Sequence, residues 1–160
     1  KYLATAQKMG MTKFVSMQNF YNLVYREEER EMLPLCRDAG IGVIPWSPLA
    51  RGFLGRTHAH ALDRQTARAK SDNVLDMQFG DADLETLRRV EEIGARRGAA
   101  NAQIAVAWLL AKGVAAPIIG ASKMSHLEDA IAAASIMLTD EEVKYLEEPY
   151  RPKPVAGNLR

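Results

Sequence analysis

The feature that most restricts the fold is a repeated order in which a short apolar run is followed by a stretch with helical spacing. Residues 13–18 (KFVSMQ) are rich in β-formers, and Met32, Leu35, Cys36 and Ala39 behind them follow i, i+3, i+4, i+7 spacing up to Gly40. Residues 41–44 (IGVI) form a second run, closed by Pro45. It is continuous rather than alternating, as expected of a parallel strand covered on both faces. A third run, residues 117–120 (PIIG), follows two further helical stretches. This alternation favours parallel strands with helices outside them. Three such units do not close a barrel, which takes about 250 residues for eight units. The 160 residues are therefore expected to be a small open sheet or a piece of something larger. Residue 1 is Lys, and residues 1–9 already read as a helix tail, with Leu3, Ala6 and Met9 on one face and a stop at Gly10. That favours a piece.

Between the second and third runs, residues 47–80 lose periodicity and collect Arg51, Arg56, Arg64, Arg68 and Lys70 among Pro, Gly, Asp and Asn. A long polar loop is expected there, and loops of this length are usually functional. Helical spacing resumes at Leu84, Leu87, Val90 and Ile93, behind Asp81 as the expected N-cap, and again from Asn101 through Ile104, Trp108 and Leu109 to Gly113. Ser125 with Glu128, and Thr139 with Glu142, have capping-box spacing, predicting helices that start near 126 and 140. The proline-rich tail from Pro149 is expected to be irregular.

Charge and composition exclude several classes of function. Lys and Arg total 21 against 20 Asp and Glu, a net charge of +1, which leaves no excess of positive charge to hold a nucleic-acid backbone. With 48% hydrophobic and 26% charged residues the composition is globular, and every apolar run breaks well before a membrane span of about 18 residues. A single cysteine makes no internal disulfide and no leader-like segment opens the chain, so a reducing cytoplasm is the expected compartment.

In parallel α/β architectures the chemistry sits at the C-terminal ends of strands. The first run ends in Gln18 and Asn19, two carboxamides suited to a ligand bearing its own amide, or to satisfying loop backbone. The second leads into Trp46, Ser47, Pro48, Leu49, Ala50, Arg51 and Gly52. Here a planar ring has an indole to stack on and a phosphate has a guanidinium beside a glycine, though core packing is an equally available role for Trp46. The third leads through Gly120, Ser122 and Lys123 into a helix start, an arrangement suited to an anion and equally to ordinary loop-to-helix chemistry. His58 and His60 lack the carboxylate or thiol company of a metal site and are expected to be solvated. His126 is expected at the surface. Cys36 lies on an apolar helix face and reads as an inert small hydrophobe. The acidic run at residues 27–31 reads as a solvated first turn complementing a helix dipole.

The segments QNFYNLVYREEE (residues 18–29), LPLC (33–36) and GIGVIPWSPLARG (40–52), with AQIAVAWLL (102–110), PIIG (117–120) and LEEPY (146–150), resemble the aldo-keto reductases, in particular the branch around the aryl-alcohol dehydrogenases. The resemblance implies the C-terminal part of a (β/α)8 TIM barrel, about strands six to eight with their helices, and an α/β fold overall. It implies hydride transfer between a nicotinamide cofactor, NADPH more than NADH, and a small carbonyl or alcohol substrate. Gln18 would then hold the nicotinamide carboxamide and Trp46 would stack on its ring. Ser47, Leu49, Arg51 and Gly52 would line the pyrophosphate path. Gly120, Ser122 and Lys123 would meet the adenosine half, with Ser122 and Lys123 near a 2′-phosphate. Asp129 is assigned to the adenine edge. Ala130 and Leu127 depart from the Asn and Arg of some relatives, and basic residues from Arg51 to Lys70 are an alternative source of charge. No residue matches the family's catalytic Asp, Tyr, Lys and His, which belong to earlier strands, and Tyr21 and Tyr25 do not take the acid's place. The resemblance thus implies a cofactor-binding part of a reductase, inactive by itself, whose partner is the missing N-terminal part of the barrel. The alternative it allows is a non-catalytic, nucleotide-sensing subunit.

Overall fold

Two parallel strands begin the sheet, and their register explains which side chains reach which face. In the computed structural model, which describes residues 1–62 and 79–155, β1 (Ser16–Met17) pairs with β2 (Gly42–Val43), Ser16 opposite Gly42 and Met17 opposite Val43. The ladder continues past the strands proper. Val15 O, Met17 O and Asn19 O accept from Gly42 N (2.9 Å), Ile44 N (2.9 Å) and Trp46 N (2.9 Å), and Phe20 bridges Trp46 in parallel. Regular strand is therefore shorter than the runs at 13–18 and 41–44, but the extended pairing spans them.

The third run lies beside β2 without becoming a strand. Ala115 N donates to Val43 O (2.8 Å) and Ile118 N to Pro45 O (2.8 Å). A parallel ladder needs a return bond to residue 115 from residue 45. Proline has no N–H to give. The next position, Ser47, has left the extended conformation at φ 55. The expectation of a third strand is thus corrected to an extended segment tethered only by bonds that it donates.

The helices pack on one face of this sheet. Helix α1 (Tyr2–Lys8) precedes β1; α2 (Met32–Ala39) joins the two strands and ends at Gly40 in the left-handed conformation (φ 65). Helices α3 (Asp81–Arg97), α4 (Asn101–Ala111), α5 (Met124–Ala133) and α6 (Asp140–Glu147) follow. Residues 104–109 of α4 are all buried, and α4 packs against α3, α5 and the irregular turn Ala50–Gly55. A helix that is apolar all round is a central helix. Tyr21, Val43, Phe53, Leu54, Leu87, Val90, Ile93, Trp108 and Leu146 belong to the core it organises, and Cys36 is buried there as expected. Burial, then the charge of Glu28, pushes the Cys36 thiol up, so it stays protonated and inert.

Two expected caps move. The N-cap of α3 is Gly80, whose N–H is held by Asp83 Oδ2 (3.0 Å), and Asp81 is already helical. Helix α5 begins at Met124 behind Lys123, so Ser125 lies inside it and makes no cap. The Thr139 box forms: its hydroxyl accepts from Glu142 N (3.3 Å) and its own N–H donates to Glu142 Oε2 (2.9 Å).

Candidate functional site

Side chains in a strand alternate between faces, and bridge partners share one. Met17, Asn19 and Tyr21, with Val43 and Pro45, turn towards the helices. Gln18, Phe20, Ile44 and Trp46 turn the other way. Gln18 is exposed, Trp46 and Ile44 are half-buried, and Phe20 is buried beneath Trp46 with ring centroids 4.5 Å apart and planes 28° from parallel. The pairing therefore brings Gln18 and Trp46 together on the face that the helices leave uncovered. Asn19, assigned with Gln18 by sequence to one carboxamide pair, faces the core instead. Its amide is buried, and neither its nitrogen nor its oxygen has a hydrogen-bond partner among the described residues.

After Trp46 the backbone makes a strained turn. Ser47, Ala50 and Arg51 have φ of 55, 46 and 60, and Gly52 has φ 91. Left-handed non-glycine residues cost about 1 to 2 kcal/mol each and cluster at functional sites. The turn holds itself together. Ala50 N donates to Ser47 O (3.0 Å), Arg51 N to Ser47 Oγ (3.1 Å) and Gly52 N to Leu49 O (2.9 Å), while Asn22 Nδ2 clips Ser47 O from the first segment (3.1 Å). The amide hydrogens of Ala50, Arg51 and Gly52 are consequently taken, and the Leu49 side chain packs on the core. Beside Gly52 there is open space, a Cβ there meeting nothing within 4 Å among the described residues, and the half-buried Arg51 stands next to it. Arg64, Arg68 and Lys70 lie outside the described residues.

At the third tip, Gly120, Ser122 and Lys123 are all exposed, Lys123 standing at the N-cap of α5. Asp129 on α5 accepts from Gln103 Nε2 of α4 (2.9 Å), so one carboxylate oxygen is engaged in helix packing. His58, His60 and His126 are exposed, and among the described residues no group of three or more His, Cys, Asp or Glu is placed to hold a metal ion. No described helix is long and apolar enough to cross a membrane.

Sequence reasoning missed a buried polar cluster behind the first tip. The acidic run is not a solvated turn. Glu27 is buried, accepting from Tyr150 OH (2.5 Å) and Lys153 N (2.7 Å) and pairing with Arg30 (2.8 Å). Burial pushes its carboxyl up, but these bonds outweigh that and hold it below the ordinary range. Glu29 accepts from Tyr21 OH (2.6 Å) and pairs with Arg26 (2.7 Å), which also meets Glu147 (2.9 Å). Glu147 further accepts from Trp108 Nε1 (2.9 Å) and pairs with Lys112 (2.9 Å). Burial followed by the bond to Glu29 drives the Tyr21 phenol far above its ordinary value. Tyr21 and Tyr25 are both buried. Tyr21 is a structural donor and not an acid for a substrate. The signal lay in Glu27, Glu29, Arg26 and Tyr150 jointly, but Tyr150 is more than a hundred positions from the other three.

A model of the Aldo/keto reductase family matches residues 1–151. A Schizosaccharomyces pombe protein provisionally named as an aryl-alcohol dehydrogenase is 48% identical over 156 residues, covering 97% of this chain and 44% of that one. Versiconal hemiacetal acetate reductase of Aspergillus parasiticus is 42% identical over 154 residues, covering 94% of this chain and 44% of that one. The crystal structure of a thermostable aldo-keto reductase in complex with the inhibitor epalrestat superposes with a TM-score of 0.66 at 28% identity, over 91% of this chain and 43% of that one. The chain thus spans less than half the length of these relatives. Its three parallel segments with helices on one face are the C-terminal part of a (β/α)8 barrel, about strands six to eight. On the match over residues 1–151, this chain belongs to the aldo/keto reductase family.

Proposed function

We propose that the chain forms the dinucleotide-binding side of a carbonyl reductase, NADPH being preferred to NADH. The observation that carries this reading is the shared face of Gln18 and Trp46, fixed by the Phe20–Trp46 bridge. A carboxamide and an indole at neighbouring strand ends match the amide and the ring of nicotinamide, so the residues fit the group. When bound, the nicotinamide supplies or accepts the hydride exchanged with an aldehyde or alcohol.

The chain's own residues bind and orient. Gln18 donates to and accepts from the carboxamide, and Trp46 stacks on the ring. Arg51, with the open side of Gly52 and the Ser47 to Leu49 turn, lines the pyrophosphate path. Gly120 lets the adenosine half approach, Ser122 and Lys123 at the start of α5 receive the 2′-phosphate, and the free oxygen of Asp129 faces the adenine edge. The acid that protonates the carbonyl comes from outside these residues, because the two tyrosines nearest Gln18 are buried.

Calorimetric titration of the chain with NADPH and NADH tests the reading. One saturable site is expected, weakened about tenfold or more by Trp46→Ala, with Lys123→Ala narrowing the difference between the two cofactors. Absence of saturable binding, or an unchanged affinity in Trp46→Ala, would overturn it. Turnover is tested by following NADPH absorbance with an aromatic aldehyde in a protein that joins this chain to the barrel's first five strands.

A further inference from the structure

Trp46 does not lie alone on its face. Its backbone is pinned by the bond from its N–H to Asn19 O (2.9 Å), and its ring rests on Phe20, which in turn rests on Tyr25 at a centroid distance of 4.5 Å and 34° between planes. Phe20 is 6% and Tyr25 3% exposed, so the lower two rings are buried and the half-exposed indole is the outer one. Tyr25 is fixed by paired backbone bonds with Asn22 (3.0 and 3.1 Å), whose Oδ1 accepts from Val24 N (3.1 Å). The same Asn22 holds the carbonyl of Ser47, the neighbour of Trp46. A short turn thus fixes both the base of a three-ring stack and the residue adjoining its top.

We propose that Phe20 is a positioning residue that sets the plane of the Trp46 indole, so that its outer face is presented to the nicotinamide ring. This rests on the dinucleotide reading above and extends it to a residue that touches no ligand. An indole has two χ angles to settle, and at a half-exposed position a flat partner on one face decides its tilt in a way that an aliphatic side chain of similar volume does not. Phe20 therefore acts on the ring end of the ligand and leaves the adenosine end, held at Ser122 and Lys123, untouched.

The test compares two ligands on the chain and its variants: NADPH, and adenosine 2′,5′-bisphosphate, which lacks the nicotinamide. Phe20→Leu is expected to weaken NADPH about three- to tenfold while leaving the bisphosphate unchanged, and Phe20→Tyr, which keeps the flat ring, to restore NADPH binding. Urea midpoints accompany each titration, and Phe20→Met replaces the leucine variant should that one not fold. Equal weakening of both ligands, or no effect on NADPH while Trp46→Ala weakens its binding, overturns the role of Phe20 and leaves the dinucleotide reading standing. Failure of the unaltered chain to bind either ligand, or indifference of NADPH to Trp46→Ala, overturns both.

Discussion

Removing a single oxygen, in Tyr150→Phe, tests whether the polar cluster holds the loop behind the first strand tip. The hydroxyl donates to Glu27 Oε1 (2.5 Å) and accepts from Arg26 N (3.0 Å), joining the tail of the chain to the segment that follows Gln18. A hydrogen bond to a charged group contributes about 1.5 to 3 kcal/mol, and an unpaired backbone N–H adds about 1, partly offset by the hydroxyl no longer needing desolvation. Glu27 keeps Arg30 and Lys153 N, so its charge is not abandoned. The net loss expected is about 2 to 3 kcal/mol, or roughly 5 to 10 °C in Tm for a chain of this size. The loss is also pH-dependent. The Glu27 carboxyl is held below its ordinary value, so its contribution is fully present above the unfolded value of about 4.3 and fades as pH falls through the folded one. Urea unfolding followed by circular dichroism should therefore show the difference between parent and variant at its largest near pH 7 and reduced at about pH 3. A difference below about 0.5 kcal/mol, or one that is the same at both pH values, would refute the reasoning.

Arg51→Gly tests the pyrophosphate assignment: dinucleotide affinity, measured calorimetrically, should fall about tenfold, and an unchanged affinity would contradict it. Asn19→Leu replaces a buried carboxamide whose nitrogen and oxygen have no partner among the described residues, and should raise stability by about 1 to 2 kcal/mol in the same urea assay; a loss of that size would contradict it.

The local parts of the fold were legible in the sequence and the non-local ones were not. Apolar spacing located the helices, and the Thr139 box formed because its partners lie three residues apart. The Asp81 reading failed because the acid that caps α3 sits two residues further on, at Asp83. The third strand was misread because apolar content says nothing about donors, and Pro45 withholds the one its neighbour needs. Of the candidate site, the places of Gln18 and Trp46 at strand ends could be read from the sequence, while their shared face and the position of Phe20 under the indole come only from the pairing register. Glu27 looked solvated since nothing nearby in sequence announces Tyr150 or Lys153.

The one-way attachment of residues 115–118 makes the sheet mechanically uneven. β1 and β2 share paired strand as well as the donations of Gly42, Ile44 and Trp46, whereas beyond β2 the outer segment is held by its own donations from Ala115, Ala116 and Ile118. That seam separates the indole end of the proposed ligand track from the Lys123 end. The proposed grip at the far phosphate therefore rests on a segment with fewer ties to the sheet than the ring platform has.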